Sequence, residues 1–173
     1  MNEFTISVNS STPTIIRCIL LCVWIAGMFV VLVLVLKSSL QLRSLKRSAL
    51  PLQNTTICKL YKQCLFEMKI TRNIPIYSTA FLKTPIITGI FKPGIYMPIH
   101  LISDYQETDV RYILLHELQH YKHQDSLANY LMFLTAILYW FNPIVWYALK
   151  EMRNDREIAC DTSVLKMLDE CDY

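Results

Sequence analysis

Nineteen consecutive residues, 18–36, carry no charge and are dominated by Leu, Val and Ile. A helix needs roughly 20 apolar residues to cross the hydrocarbon of a bilayer, so a transmembrane helix is predicted over 15–36. A cleaved signal has a shorter apolar core, and no small-residue cleavage site follows Leu36. Only Glu3 and Arg17 are charged before the run, whereas Lys37, Arg43, Lys46 and Arg47 follow it. The positive-inside rule then leaves 1–14 as an extracytoplasmic tail and makes 37–53 a basic juxtamembrane linker on the cytoplasmic side. The expected location is the cell membrane, with any active site facing the cytoplasm.

A chain of 173 residues suits one ordinary domain, here 54–173, plus membrane elements. With 53% hydrophobic and 18% charged residues and only 3 glycines, disorder is excluded and a densely helical or membrane-associated protein is indicated. The net charge of +3 is small and its basic residues gather just after the apolar run, so no direct nucleic-acid partner is expected and a lipid surface is. The cysteines at 18, 22, 58, 64, 160 and 171 lack C-x-x-C pairing. They are expected to be reduced and structural, as suits a cytoplasmic domain.

Thr55 or Thr56 is placed to cap a helix whose apolar positions Ile57, Leu60, Tyr61, Cys64, Leu65 and Met68 recur at helical spacing. The period then changes. Ile74, Ile76 and Tyr77, then Ile86, Ile87, Ile90, Phe91 and 95–97 around Lys92-Pro93-Gly94, read as short strands joined by a turn. Prolines at 75, 85, 93 and 98 exclude a central strand and predict an edge. Such an edge either holds an extended peptide by backbone pairing or merely covers the core.

Chemistry concentrates at His116-Glu117-Leu118-Gln119-His120, in a stretch, 109–121, that has helical apolar spacing and no Pro or Gly. Residues four apart on a helix stand one turn above each other, so two imidazoles can face one metal ion. Glu117 beside them can take a proton from a water whose acidity zinc raises. A catalytic zinc usually has three protein ligands. His123 lies on another part of the helix surface, His100 is expected in a loop, and Glu157 is the better candidate. Asp161, one turn beyond Glu157, can accept a hydrogen bond from a ligating imidazole.

Residues 126–149 are again uncharged and read, taken alone, as a second membrane crossing. A straight crossing would leave His120 and Glu157 about 30 Å apart, yet zinc ligands lie about 2 Å from one ion. Asn142-Pro143 predicts a reversal, because the residue before proline leaves the helical region and proline can start a new helix. Two arms of about 23 Å each form an apolar helical hairpin, with Asp125 or Ser126 capping the ascending arm. Whether it enters lipid or packs within the protein is left open by the sequence.

The runs ILLHELQHYKHQD and FNPIVWYALKEMRNDREIACD, with ITGIFKPGIYMP before them, resemble the peptidase region of the BlaR/MecR-type sensor-transducers of beta-lactam resistance, membrane zinc proteases of the gluzincin group. The resemblance covers nearly the whole chain. It implies one Zn2+ held by His116, His120 and Glu157, with Glu117 as general base and Asp161 as partner of a ligating histidine. The implied fold is mainly α with a small β-sheet, membrane-anchored, combining the H-E-x-x-H helix, the hairpin and a Glu-bearing return helix. It also implies cleavage of a transcriptional repressor after an antibiotic signal. The expected partners are that protein substrate, the lipid bilayer and, as an option, a second copy of the chain. Two departures stand out: one clear span precedes the zinc domain where the family has more, and the sequence stops at Tyr173 without a final span or penicillin-binding sensor. Antibiotic sensing is therefore not expected within these residues. A membrane quality-control or prenyl-protein protease is the alternative enzyme, and a non-catalytic signalling module the alternative of another class.

Overall fold

A computed structural model describes residues 11–104 and 106–171; positions 1–10 of the expected extracytoplasmic tail lie outside the described residues. The described residues are mainly helical (71%), and with one small sheet this meets the expectation of a mainly α protein. The helices are α1 (Ser11–Arg47), α2 (Thr55–Glu67), α3 (Ile99–Asp104), α4 (Glu107–Lys122), α5 (Asp125–Leu138) and α6 (Pro143–Cys171). The strands are β1 (Leu50–Pro51), β2 (Ile76–Thr79), β3 (Ile86–Thr88) and β4 (Gly94–Pro98).

By length and composition α1 is able to cross a membrane, and the apolar part of it is not buried by the rest of the protein. The helix does not stop at Leu36. It continues through the basic residues to Arg47, so most of the expected linker at 37–53 is helix and the remainder contributes β1. Arg and Lys are good helix formers, and the Lys46 ammonium is anchored on Thr88 Oγ1 at 3.2 Å and over the Tyr96 ring. The far end of α1 is thereby fastened to the sheet.

Strand order is β1-β2-β4-β3, with β2 and β4 parallel and the outer pairs antiparallel. The prediction that proline excludes a central strand fails here, since β2 and β4 are both interior. Pro75 and Pro93 stand just before these strands and Pro98 is the last residue of β4, so the missing N–H falls at strand ends. Pro85 precedes β3, which is an edge as expected. Gly89, after β3, has φ +114°, and a Cβ there would stand 2.4 Å from the Lys92 carbonyl oxygen. Only glycine fits that turn.

The core lies between α2, the sheet and α4. Ile57, Tyr61 and Cys64 of α2 and Met68 just after it meet Ile95 and Met97 of β4 and Val110, Leu114, Leu115 and Leu118 of α4, with Val164 of α6 closing one side. The cap of α2 is Asn54, whose side chain accepts from the Thr56 and Ile57 amides, and not Thr55 or Thr56. The buried Tyr61 hydroxyl donates to the Ile74 carbonyl at 2.8 Å. Of the six cysteines expected to be reduced, Cys18, Cys22, Cys58, Cys64 and Cys160 are free thiols, and the Cys171 side chain lies outside those described. The chain reverses at 139–142, between α5 and α6, so the apolar stretch 126–149 is a hairpin and not a straight crossing.

Candidate active site

The core face of α4 is set by Val110, Leu114 and Leu118, and this rotation fixes where the intervening polar residues point. His116 and His120, one turn apart, project towards α6, which returns alongside α4. The two Nε2 atoms stand 3.0 Å apart. Glu157 Oε2 lies 3.6 Å from His116 Nε2 and 3.5 Å from His120 Nε2. These three atoms form one of two clusters of metal-ligating type among the described residues. Ligands at 2.0–2.2 Å in a tetrahedron lie about 3.3 Å apart, so the observed separations match one small cation.

The opposite ring nitrogens are turned to carboxylates. His120 Nδ1 is 2.6 Å from Asp125 Oδ2 in a hydrogen bond, and His116 Nδ1 is 2.9 Å from Asp161 Oδ1. The second pair is a close contact whose line departs from the ring N–H direction, so it is not an aligned hydrogen bond. The Asp125 bond holds the His120 ring with its Nε2 turned to His116 Nε2 and to the Glu157 carboxylate. Two ring nitrogens and a carboxylate oxygen converging in this way are a donor set that fits a metal ion.

Asp161 lies beside His116, and its carboxylate also accepts from the Tyr112 hydroxyl at 3.2 Å. Asp125 was expected only as a cap for α5. Instead Gln124 takes the cap position in a left-handed conformation, φ 58°, without a side-chain cap bond, and Asp125 turns back to His120. Arg156 fixes Asp125 further, with Nη1 3.3 Å from its carbonyl and 3.7 Å from Oδ1. A carboxylate five residues after an H-E-x-x-H histidine is the only sequence signal of this role, and it becomes legible only once the helix break at Gln124 is known.

Glu117 is 7% exposed. Burial pushes its carboxyl up from the ordinary range, opposed by the nearby His120 and His116 and by the Ile87 amide. That amide donates to Glu117 Oε2 at 2.7 Å. Because an N–H and C=O of one strand residue point to the same side, the Ile87 carbonyl shares the free edge of β3. This edge, with Glu117, His116, His120 and Glu157, lines an open cavity of about 610 Å³.

His123 ends α4 with Nε2 against Gln119 Nε2 at 3.0 Å, and His100 lies in α3 instead of a loop; neither belongs to a metal-type cluster among the described residues. The second such cluster, His120, Asp125 and Cys160, uses the Nδ1 side of His120. Cys160 Sγ is 3.3 Å from that atom, and burial pushes its thiol up to about 12.

The chain is 35% identical over 169 residues to the regulatory protein BlaR1 of Bacillus licheniformis, which covers 98% of this chain and 28% of that protein. It is 29% identical over 167 residues to the methicillin resistance mecR1 protein of Staphylococcus aureus strain Mu50, covering 96% and 28%. It is 25% identical over 173 residues to the Staphylococcus aureus regulatory protein BlaR1, covering 100% and 29%. The chain thus spans less than a third of the length of these relatives. Residues 3–172 match the family model described as BlaR1 peptidase M56, and the chain belongs to that family.

Proposed function

We propose that this chain is the membrane-bound zinc endopeptidase part, of gluzincin type, of a BlaR/MecR-like signalling protease. In this reading His116, His120 and Glu157 hold one Zn2+, Glu117 is the general base, and Asp161 and Asp125 orient His116 and His120. The observation that carries it is the meeting of two Nε2 atoms and one carboxylate oxygen within 3.6 Å of one another, beside a buried glutamate.

An ion held by these three residues would supply Lewis acidity towards a water and a scissile carbonyl. Glu117 is placed to take a proton from an attacking water and to return it to the leaving amine. The free edge of β3 gives an extended substrate a strand to pair with, and the Ile87 carbonyl is an acceptor for its backbone N–H. This reading places the cavity on the cytoplasmic side, from the basic residues that follow the apolar run. The relatives' names, a regulatory protein and a methicillin resistance protein, support a transcriptional repressor in beta-lactam resistance as the substrate.

The test is cleavage of a purified candidate repressor by the full chain in lipid bilayers. Glu117→Gln is expected to keep its zinc and to lower turnover by about 10²- to 10⁴-fold, the usual contribution of a general base. Turnover close to that of the unchanged protein would remove Glu117 from the mechanism.

A further inference from the structure

The chain has 3 tryptophans, and all of them meet at the α5–α6 turn. The Trp24 indole N–H donates to the Leu138 carbonyl at 3.2 Å, the Trp140 indole to the Trp24 carbonyl at 3.2 Å, and the Trp146 indole to the Trp140 carbonyl at 2.8 Å. The Trp140 ring rests directly on Gly27: a Cβ at that position would stand 2.0 Å from its Cε2. The tip of the hairpin is therefore tied to a definite level of α1.

That level is deep in the apolar run. Gly27 is ten residues before Lys37, or about 15 Å at 1.5 Å per residue, roughly half the 30 Å hydrocarbon thickness. Around the tip, Leu131, Leu134, Phe141, Ile144 and Tyr147 are each more than half exposed, and no charge occurs between Asp125 and Lys150.

Irregular backbone survives in hydrocarbon only where its polar groups are satisfied within the protein. Much of this turn meets that demand. The carbonyls of Leu138, Tyr139, Trp140 and Asn142 all accept hydrogen bonds, the Tyr139 amide donates to Thr135, and Asn142 Oδ1 takes the Ile144 amide. Pro143 has no N–H to satisfy.

We propose that the α5–α6 hairpin is a re-entrant membrane element, inserted into one leaflet from the side of the α1 C-terminus, seated on Gly27 and covered on its outer face by lipid acyl chains. From a tip about 15 Å deep, the 14 residues of α5 rise about 21 Å. Asp125 and the catalytic cavity then stand about 6 Å above the hydrocarbon edge, among the headgroups. This inference rests on α1 crossing the bilayer and does not need the zinc reading.

The test uses the full chain in phosphatidylcholine vesicles whose acyl chains carry bromine either near the methyl end or just below the headgroup. With Trp24→Phe, the remaining Trp140 and Trp146 report on the hairpin. Their emission is expected to be lost mainly to the deep bromines and to be little affected by acrylamide in the water. Quenching by acrylamide alone would overturn the proposal. So would resistance to both quenchers, the result expected if a second copy covered the tip. Gly27→Leu is expected to shift the strongest quenching towards the headgroup bromines; an unchanged depth would remove Gly27 as the seat. Should Trp24→Phe fail to assemble, the unchanged protein can be irradiated with a phospholipid bearing a photoreactive group on its acyl chain. Labelling is expected at 131–147, and its absence there would contradict insertion.

Discussion

Replacing Asp125 by alanine removes the acceptor that fixes the ring of His120. If His116 and His120 hold zinc as proposed, partners of ligating histidines contribute about 10- to 100-fold to metal affinity, and the geometry of the two carboxylates ranks them within that range. The Asp125 bond is short and aligned at 2.6 Å, and its side chain is 11% exposed, so little water can take its place. The Asp161 contact is off-line, and that side chain is 51% exposed. Asp125→Ala is therefore expected to weaken zinc binding by about 100-fold, or about 2.7 kcal/mol, and Asp161→Ala by about 10-fold, or 1.4 kcal/mol. Asp125→Asn, which keeps an acceptor but not the charge, should fall between them. The assay is competition for zinc with a fluorescent chelator near pH 7, with thermal unfolding under saturating zinc as the check on folding. An affinity of Asp125→Ala unchanged from the original protein, or a larger loss in Asp161→Ala, would refute the reasoning.

Leu118→Ala empties a site that is 0% exposed between α4 and the sheet, and is expected to cost about 2–5 kcal/mol in urea unfolding. Gly89→Ala should destabilise by more than about 1 kcal/mol, because φ is +114° and the Lys92 carbonyl blocks the added carbon. The buried Cys64 thiol is pushed up from its ordinary 9.0 to about 12, chiefly by burial and then by Glu67. The folded chain thus holds this proton more tightly than the unfolded chain. The resulting stability is present below about pH 9 and lost as pH rises towards 12. Denaturant melts at rising pH check this, and alkylation near pH 8 should modify Cys58 well before Cys64.

Local features of the site were legible because they are periodic. The H-E-x-x-H pair lies within one helix, and the apolar spacing of Val110, Leu114 and Leu118 fixes its rotation. Glu157 required a longer inference, from Asn142-Pro143 and the equal lengths of the two arms, and α6 does return it to the histidines. Asp125 was missed because its direction depends on one left-handed residue, Gln124, that carries no glycine signal. The two-residue strand β1 is too short to show alternation. The prolines misled about the sheet because composition places them near strands without saying whether they fall inside or just before them. The depth of the hairpin depends on one packing contact, Trp140 on Gly27, which no periodicity records.

The central proposal is that two imidazoles and the Glu157 carboxylate surround one zinc ion. X-ray absorption at the zinc edge, on the full chain purified in detergent or bilayers, measures that shell directly. Only nitrogen and oxygen neighbours at about 2.0–2.2 Å are expected, with the shell altered in Glu157→Ala. A sulfur neighbour at about 2.3 Å would mean that Cys160 holds the metal, and would contradict the assignment.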